Sequence, residues 1–280
     1  MKAIVIGASG LVGGELYKQL VAENHKVVGT YNSRPVDGMV HLDIRNIYDV
    51  YALIIKESPD VVFLAAYQSW VDWCEENPRE SEEVNVDGCI NVADAVDSID
   101  ATLVFFSSSY VFSGKYSFNY VDSDQEPMNI YGRQKSRVEE YIEGTNYKYK
   151  IIRTVGVFGD EEKNFFGQVR DKLSKGESVF ASSAQYMNPI YVVDLVAKTL
   201  QVVMSGSYEY GIYHIAGDTL LSKLSFARSI ARGLGYSLSL IKEAHEVNSA
   251  PRPVYGQLYC DPLDVFPANY VRGLRRLING

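Results

Sequence analysis

Ala3-Ile4-Val5-Ile6, running straight into Gly7-Ala8-Ser9-Gly10-Leu11-Val12-Gly13-Gly14 and then an amphipathic stretch to about Glu23, is the part of the chain that decides the fold. The β-branched run suits a buried parallel strand, and the pattern after it changes to helical spacing. Glycines at 7, 10 and 13 permit a tight turn, close approach of backbone N–H groups to a diphosphate, and tight packing of the helix on the sheet. The turn is expected to present the amides around Ser9, Gly10, Leu11 and Val12 to an anion at the helix N-terminus. The spacing is G-x-x-G-x-x-G, so a plain structural turn stays open until the rest of the chain is read.

Working outward, Lys26 to Thr30 reads as a second strand, but no acidic residue follows to hold a ribose 2′-hydroxyl. Tyr31-Asn32-Ser33-Arg34 stands there instead, offering hydroxyls, an amide and a guanidinium that suit a 2′-phosphate. This favours NADP over NAD, with Arg34 as a plain surface residue the competing reading. Met39 to Leu42 reads as a third strand ending at Asp43-Ile44, where Asp43 could reach an adenine amino group or cap the helix from Ile47 to Glu57. Val61 to Leu64 is the fourth strand, and the small residues Ala65 and Ala66 before Tyr67 leave room for a cofactor. Asp72 to Val96 is helical in pattern with a break near Asn77-Pro78, and Thr102 to Phe106 is a fifth strand. That strand delivers Ser107-Ser108-Ser109 to the sheet edge that carries the glycine turn.

Composition excludes several alternatives. The 280 residues are 46% hydrophobic and 22% charged, which describes a globular chain able to bury a large core. A net charge of -8 argues against a phosphate-backbone binder, so nucleic acid is not an expected partner. Cys74, Cys89 and Cys260 show neither disulfide nor metal spacing, and His25, His41, His214 and His245 are scattered, so no metal is expected. No apolar run approaches a membrane span and no secretory signal pattern opens the sequence, which leads to an expectation of a cytoplasmic protein without a membrane partner.

Past a long polar and aromatic loop from Tyr110 to Met128 comes Asn129-Ile130-Tyr131-Gly132-Arg133-Gln134-Lys135, at an apparent helix start. Tyr131 and Lys135, four apart, share a helix face, and a cation beside a phenol favours its charged form. The pair is then expected to lower the Tyr131 pKa and equip it for acid/base work. Alone such a pair is common by accident, and the serine run could equally form a turn. A sixth strand, Tyr149 to Thr154, completes a strand–helix alternation that implies a doubly wound parallel sheet. Beyond it the pattern loosens into Phe165 to Leu173 and Val192 to Met204 as helices, Ser178 to Phe180, Tyr213 to Ala216 and Ser237 to Ile241 as strands, and a helix from Ser222 to Leu234 with Ser222 as cap.

Taken in order, these stretches resemble the extended short-chain dehydrogenase/reductase family, in its dTDP-4-dehydrorhamnose reductase-like branch. The resemblance rests on Gly7 to Gly13, Asp43-Ile44, Ala65-Ala66-Tyr67, Val84 to Gly88, Ser107 to Gly114, Tyr131 to Lys135, Arg153-Thr154, Val193 to Leu195, Gly211 to Gly217 and Arg252-Pro253. It implies an α/β doubly wound Rossmann fold with a small C-terminal substrate-binding lobe. Residues 1–157 and 190–217 would form the cofactor domain, and 158–189 with 218–280 the lobe. It further implies an NADP(H)-dependent reductase of a 4-keto nucleotide sugar, with Ser108, Tyr131 and Lys135 catalytic. Lys135 would also bond the nicotinamide ribose, while Ser109, Tyr110, Arg153, Gln185, Asn188 and Arg252 would meet substrate. Arg153 and Arg252 suit a sugar diphosphate or a buried ion pair equally. Epimerases and dehydratases share this machinery, NAD is a possible cofactor, a homodimer is possible, and some members resemble the non-catalytic regulatory subunit of methionine adenosyltransferase. The chain departs from the branch at Ser109, where aspartate is usual, at Ile190, where threonine is usual, and at Gly256, where serine is usual.

Overall fold

β1 (Lys2–Ile6) is buried along almost its whole length and lies between two parallel neighbours, so its side chains face helices on both sides. The computed structural model describes residues 1–145, 148–244, 249–261 and 265–279. After β1 come α1 (Leu11–Ala22), β2 (Lys26–Tyr31), β3 (Val40–His41), α2 (Ile47–Glu57) and β4 (Val61–Leu64). The chain continues through α3 (Val71–Glu76), α4 (Pro78–Glu82), a π-helical turn (Glu83–Asp87), α5 (Gly88–Asp97), β5 (Thr102–Ser108), α6 (Ile130–Gly144) and β6 (Tyr149–Thr154). The second half holds β7 (Val157–Phe158), α7 (Phe165–Ser174), β8 (Val179–Ala181), β9 (Tyr186–Met187), β10 (Ile190–Tyr191) and α8 (Val192–Met204). It ends with β11 (Gly211–His214), β12 (Leu221–Ser222), α9 (Lys223–Gly233), β13 (Ile241–Glu243) and α10 (Tyr270–Asn279).

Seven parallel strands form the main sheet in the order β11-β6-β5-β4-β1-β2-β3. Strand order reverses between β1 and β4, and the crevice beyond the carboxyl ends at such a switch point is where ligands of open α/β sheets bind. On one face Leu16 and Leu20 of α1 pack with Leu195, Val196 and Leu200 of α8 over Val5, Phe63 and Val104. On the other face Val50 and Ile54 of α2, Val92 of α5 and Val138 of α6 cover Ile4, Val62, Leu103 and Phe105. A separate core gathers Phe158, Phe166, Val169, Phe226, Ile230 and Leu274 under the lobe, where β7–β10, β8–β13 and β9–β12 form three small pairs.

The α/β sheet and lobe expected from the sequence are present, with local differences. The third strand is only Val40–His41. Asn46, not Asp43, caps α2, its side chain accepting from the amides of Tyr48 and Asp49. The stretch from Asp72 to Val96 breaks at Asn77-Pro78 as expected and again at the π-helical turn. There Asn85 is pulled inward, accepting from the Gln68 amide at 2.7 Å and donating to Gln134 at 2.9 Å. Ser237 to Ile241 is mostly a 3-10 turn over Leu238–Leu240, and the strand begins at Ile241. Ser222 does cap α9, accepting from the Ser225 amide at 3.1 Å. No helix among the described residues is long and apolar enough to cross a membrane. Among those residues no group of three or more His, Cys, Asp or Glu is placed to hold a metal ion, and His245 lies outside them.

Candidate active site

Gly7 has φ +87°, and a Cβ there would lie 2.8 Å from the amide nitrogen of Ala66, so the turn closes directly on the end of β4. A Cβ on Gly13 would lie 2.2 Å from the Gly7 carbonyl oxygen, which sets how closely α1 approaches the turn. The Gly7 amide donates to Thr30 Oγ1 at 3.2 Å, and Gly10, the N-cap of α1, supplies no side-chain cap. The first amides of α1 therefore keep their capacity for an anion. This backbone cradle fits the diphosphate of a dinucleotide on geometry alone.

The turn forms one wall of a cavity of about 680 Å3 that runs along the carboxyl ends of the strands. Ser9, Gly10, Leu11, Val12, Tyr31, Asn32, Ser33, Arg34, Asp43, Ile44, Ala65, Ala66 and Tyr67, all expected at a cofactor, line it. Gly13 and Lys135, also expected at the cofactor, are not on the wall; Gly13 acts through its packing against Gly7, and Lys135 is fully buried behind Tyr67. The Arg34 guanidinium donates to the Ser9 carbonyl and lies 4.0 Å from Glu161, so it bridges the glycine turn and the lobe. Asp43 accepts from Arg45 at 3.0 and 3.1 Å, and that bond holds its carboxyl below the usual range.

At the other end, β5 delivers Ser107, Ser108 and Ser109 to the wall beside Thr154 of β6, which is in register with Ser108. Tyr131 is placed from three directions. Asn129 caps α6 by accepting from the Gly132 amide at 2.8 Å and donates to the Pro251 carbonyl at 2.9 Å, while Glu75 accepts from the Ile130 amide at 2.9 Å. Gly132 is required because a Cβ would lie 2.2 Å from the Tyr110 carbonyl oxygen, so α6 rests on that backbone. The Tyr110 and Tyr131 rings meet edge to face at 5.8 Å.

Tyr131 is 5% exposed and its hydroxyl is held well above the ordinary tyrosine value, chiefly by burial and then by Tyr67, while a hydrogen bond with Ser108 pulls the other way. Lys135 is not among the largest influences on it. Its fully buried ammonium donates to the Phe106 carbonyl at 2.8 Å, sits 3.5 Å over the Tyr67 ring and lies 6.0 Å from the centre of the Tyr131 ring. Burial pushes the Lys135 pKa down to about 8. The expected lowering of Tyr131 by Lys135 is thus corrected: with the protein's own groups alone, desolvation outweighs a cation held beneath Tyr67.

Ser109, Tyr110 and Gln185 line the cavity as expected for substrate contacts, but Arg153, Asn188 and Arg252 do not. Arg153 is buried, paired with Glu139 at 2.7 Å and bonded to the Val121 carbonyl at 2.9 Å. It also contacts Nε2 of His214 at 3.5 Å; burial and this cation push that imidazole down to about 3. Asn188 Nδ2 donates to the Gly217 and Leu258 carbonyls at 2.9 Å each, stitching the lobe together. Arg252 pairs with Asp72 at 2.7 Å and stands 5.9 Å from the centre of the Tyr110 ring. For both arginines the ion-pair alternative is the one found. Sequence reasoning missed Thr154, Glu161, Lys163, Phe165, Tyr186 and Pro253 on the wall. Thr154 could have been found by the strand-end rule that placed Ser108; the others stand on loops, short strands and helix ends without periodicity.

A glycine turn on β1, a sheet order that reverses beside it, and a serine and a tyrosine lining the same cavity beyond β5 define an NAD(P)-binding oxidoreductase-like fold of the short-chain dehydrogenase/reductase type. More particularly, the family profile of the RmlD substrate binding domain matches residues 1–276, and the chain belongs to that family. It is similar to a dTDP-4-dehydrorhamnose reductase of Mycolicibacterium smegmatis, 29% identical over 91% of this chain and 76% of that protein. It is equally similar to methionine adenosyltransferase 2 subunit beta of Xenopus tropicalis, 28% identical over 94% of this chain and 81% of the relative. The crystal structure of a dTDP-4-dehydrorhamnose reductase from Bacillus anthracis in complex with NADP superposes with a TM-score of 0.90 at 25% identity, covering 100% of this chain and 99% of that one.

Proposed function

We propose that this protein is an NADP(H)-dependent reductase of a 4-keto nucleotide sugar. The observation that carries the reading is that Ser108 at the end of β5 and Tyr131 at the start of α6 line the same cavity as the glycine cradle. Gly7 to Gly13 and the α1 N-terminus would hold the diphosphate, Ala65 and Ala66 leave room beside it, and Tyr31 to Arg34 would take the 2′-phosphate. When bound, the cofactor supplies the hydride. The chain's own residues do the rest. Ser108 donates to the substrate carbonyl oxygen and steadies its developing charge, and Tyr131 gives that oxygen its proton. A phenol held above its ordinary value stays protonated at neutral pH, as a proton donor must. Lys135 beneath Tyr67 supplies positive charge next to the pair. In this reading residues 1–157 and 190–217 serve the cofactor, and 158–189 with 218–280 close over the sugar.

A second reading, a non-catalytic NADP-binding subunit, is favoured by the similarity to a methionine adenosyltransferase subunit. Turnover separates the two. Purified protein should oxidise NADPH when given a 4-keto nucleotide sugar, and Tyr131→Phe should stop this while still binding NADPH. If no such sugar is reduced while NADPH binds normally, the subunit reading replaces the enzyme.

A further inference from the structure

No acidic residue follows β2 in the sequence, yet the fold brings one to that end of the cavity from the lobe. Glu161 stands in the loop between β7 and α7, lines the cavity, and places its carboxylate 4.0 Å from the Arg34 guanidinium. The Arg34 and Glu161 side chains are 50% and 30% exposed, so both are within reach of a ligand in the cavity. An ion pair this exposed adds little to stability. Its position at the cofactor end therefore asks for another role.

The loop that carries Glu161 is fastened in place. Gly159 packs on the first residue of α1, where a Cβ would lie 2.7 Å from Leu11 Cδ1. Asn164 donates to the Gly159 and Glu161 carbonyls at 2.9 and 2.7 Å, and its Oδ1 accepts from the Phe166 amide at 3.0 Å to cap α7. Lys163 of the same loop also lines the cavity. Partial burial raises the Glu161 pKa, and Arg34 and then Lys163 pull it down, so the carboxylate lies between a cation beyond β2 and one of its own loop. Charge decides what this arrangement does. An anion delivered to Arg34 shares that guanidinium with a carboxylate and is repelled by it, whereas a neutral ribose hydroxyl is not.

Resting on the reading that Tyr31 to Arg34 receive a 2′-phosphate, we propose that Glu161 sets the cofactor choice of this chain by opposing the 2′-phosphate of NADPH at Arg34 while leaving NADH unhindered. The lobe, and not the end of β2 alone, then discriminates between the two dinucleotides. The preference for NADPH is smaller than Arg34 by itself would give.

Fluorescence titration of the full chain with NADPH and with NADH at low salt tests this. Glu161→Gln keeps the size and removes the charge; it should bind NADPH about ten-fold more tightly and NADH within about two-fold of the parent. Glu161→Asp keeps the charge and should stay within about three-fold of the parent for both. In about 1 M salt, where charges are screened over about 3 Å, the NADPH gain of Glu161→Gln should shrink to about two-fold or less. Without cofactor, Glu161→Gln should melt within about 1 °C of the parent. Unchanged or weaker NADPH binding by Glu161→Gln would overturn the proposal, whether or not its melting falls. So would an equal gain for NADH, the same gain in Glu161→Asp, or a gain undiminished in high salt. A parent that binds neither dinucleotide would instead remove the cofactor reading on which the proposal stands.

Discussion

The two ends of the cavity are built on opposite plans. At the cofactor end recognition is made of backbone: Gly7 and Gly13 have no room for side chains, and the polar groups nearby are already paired within the protein, the Gly7 amide with Thr30 and Arg34 with Ser9. At the Ser108 and Tyr131 end the wall is made of side chains, and the hydroxyls of Ser107, Ser109 and Thr154 have no partner. The first plan binds one shape tightly and tolerates little change. The second leaves the character of the wall to a few replaceable residues, so a shared fold can present different surfaces there.

Substitutions can break that contrast in order of expected effect. Tyr131→Phe should lower kcat by roughly 10²–10⁴, the usual worth of a positioned proton donor, with little change in NADPH affinity measured by fluorescence titration. Gly13→Ala should act on the other end: its Cβ would lie 2.2 Å from the Gly7 oxygen, so melting should drop by several degrees for an overpacking penalty of about 1–3 kcal/mol, and NADPH binding should fall with it. Lys135 lies behind the cavity wall, against the Tyr67 ring. Because burial depresses its pKa to about 8, the folded protein loses that charge as pH rises through about 8, and kcat/KM should fall above it by up to about ten-fold per unit. The stability effect has the opposite sign: between about 8 and the ordinary lysine value the unfolded chain holds more protons, so this group's contribution to stability rises with pH. Arg34→Ala is the mildest change, an exposed guanidinium expected to shift the NADPH-to-NADH affinity ratio by about ten-fold while leaving melting unaltered.

The contrast also explains what could be read in advance. Glycine spacing records a backbone requirement directly, so Gly7 to Gly13 announced the turn, and the alternation of apolar runs announced the sheet. The positions of Ser108 and Tyr131 followed because strand ends and helix starts are local features. Arg153 and Arg252 were ambiguous, since a guanidinium suits a phosphate or a carboxylate alike, and only packing showed that Glu139 and Asp72 hold them. The Tyr131–Lys135 spacing was legible but its electrostatics were not: Tyr67 lies against the ammonium, and desolvation is a property of the assembled core. Residues of loops and two-residue strands such as Glu161, Tyr186 and Gly256 reach the cavity through tertiary contacts that leave no periodic trace.

The central claim is that Tyr131 protonates a keto sugar whose oxygen Ser108 holds, while the glycine turn holds the cofactor. The most direct measurement follows nicotinamide absorbance in a mixture of protein, NADPH and a dTDP-4-keto sugar, for the parent and for Tyr131→Phe. Oxidation of NADPH by the parent and its loss in the variant, with NADPH binding retained in both, is the predicted result. NADPH binding without oxidation in the parent, or oxidation that survives Tyr131→Phe, would contradict the account.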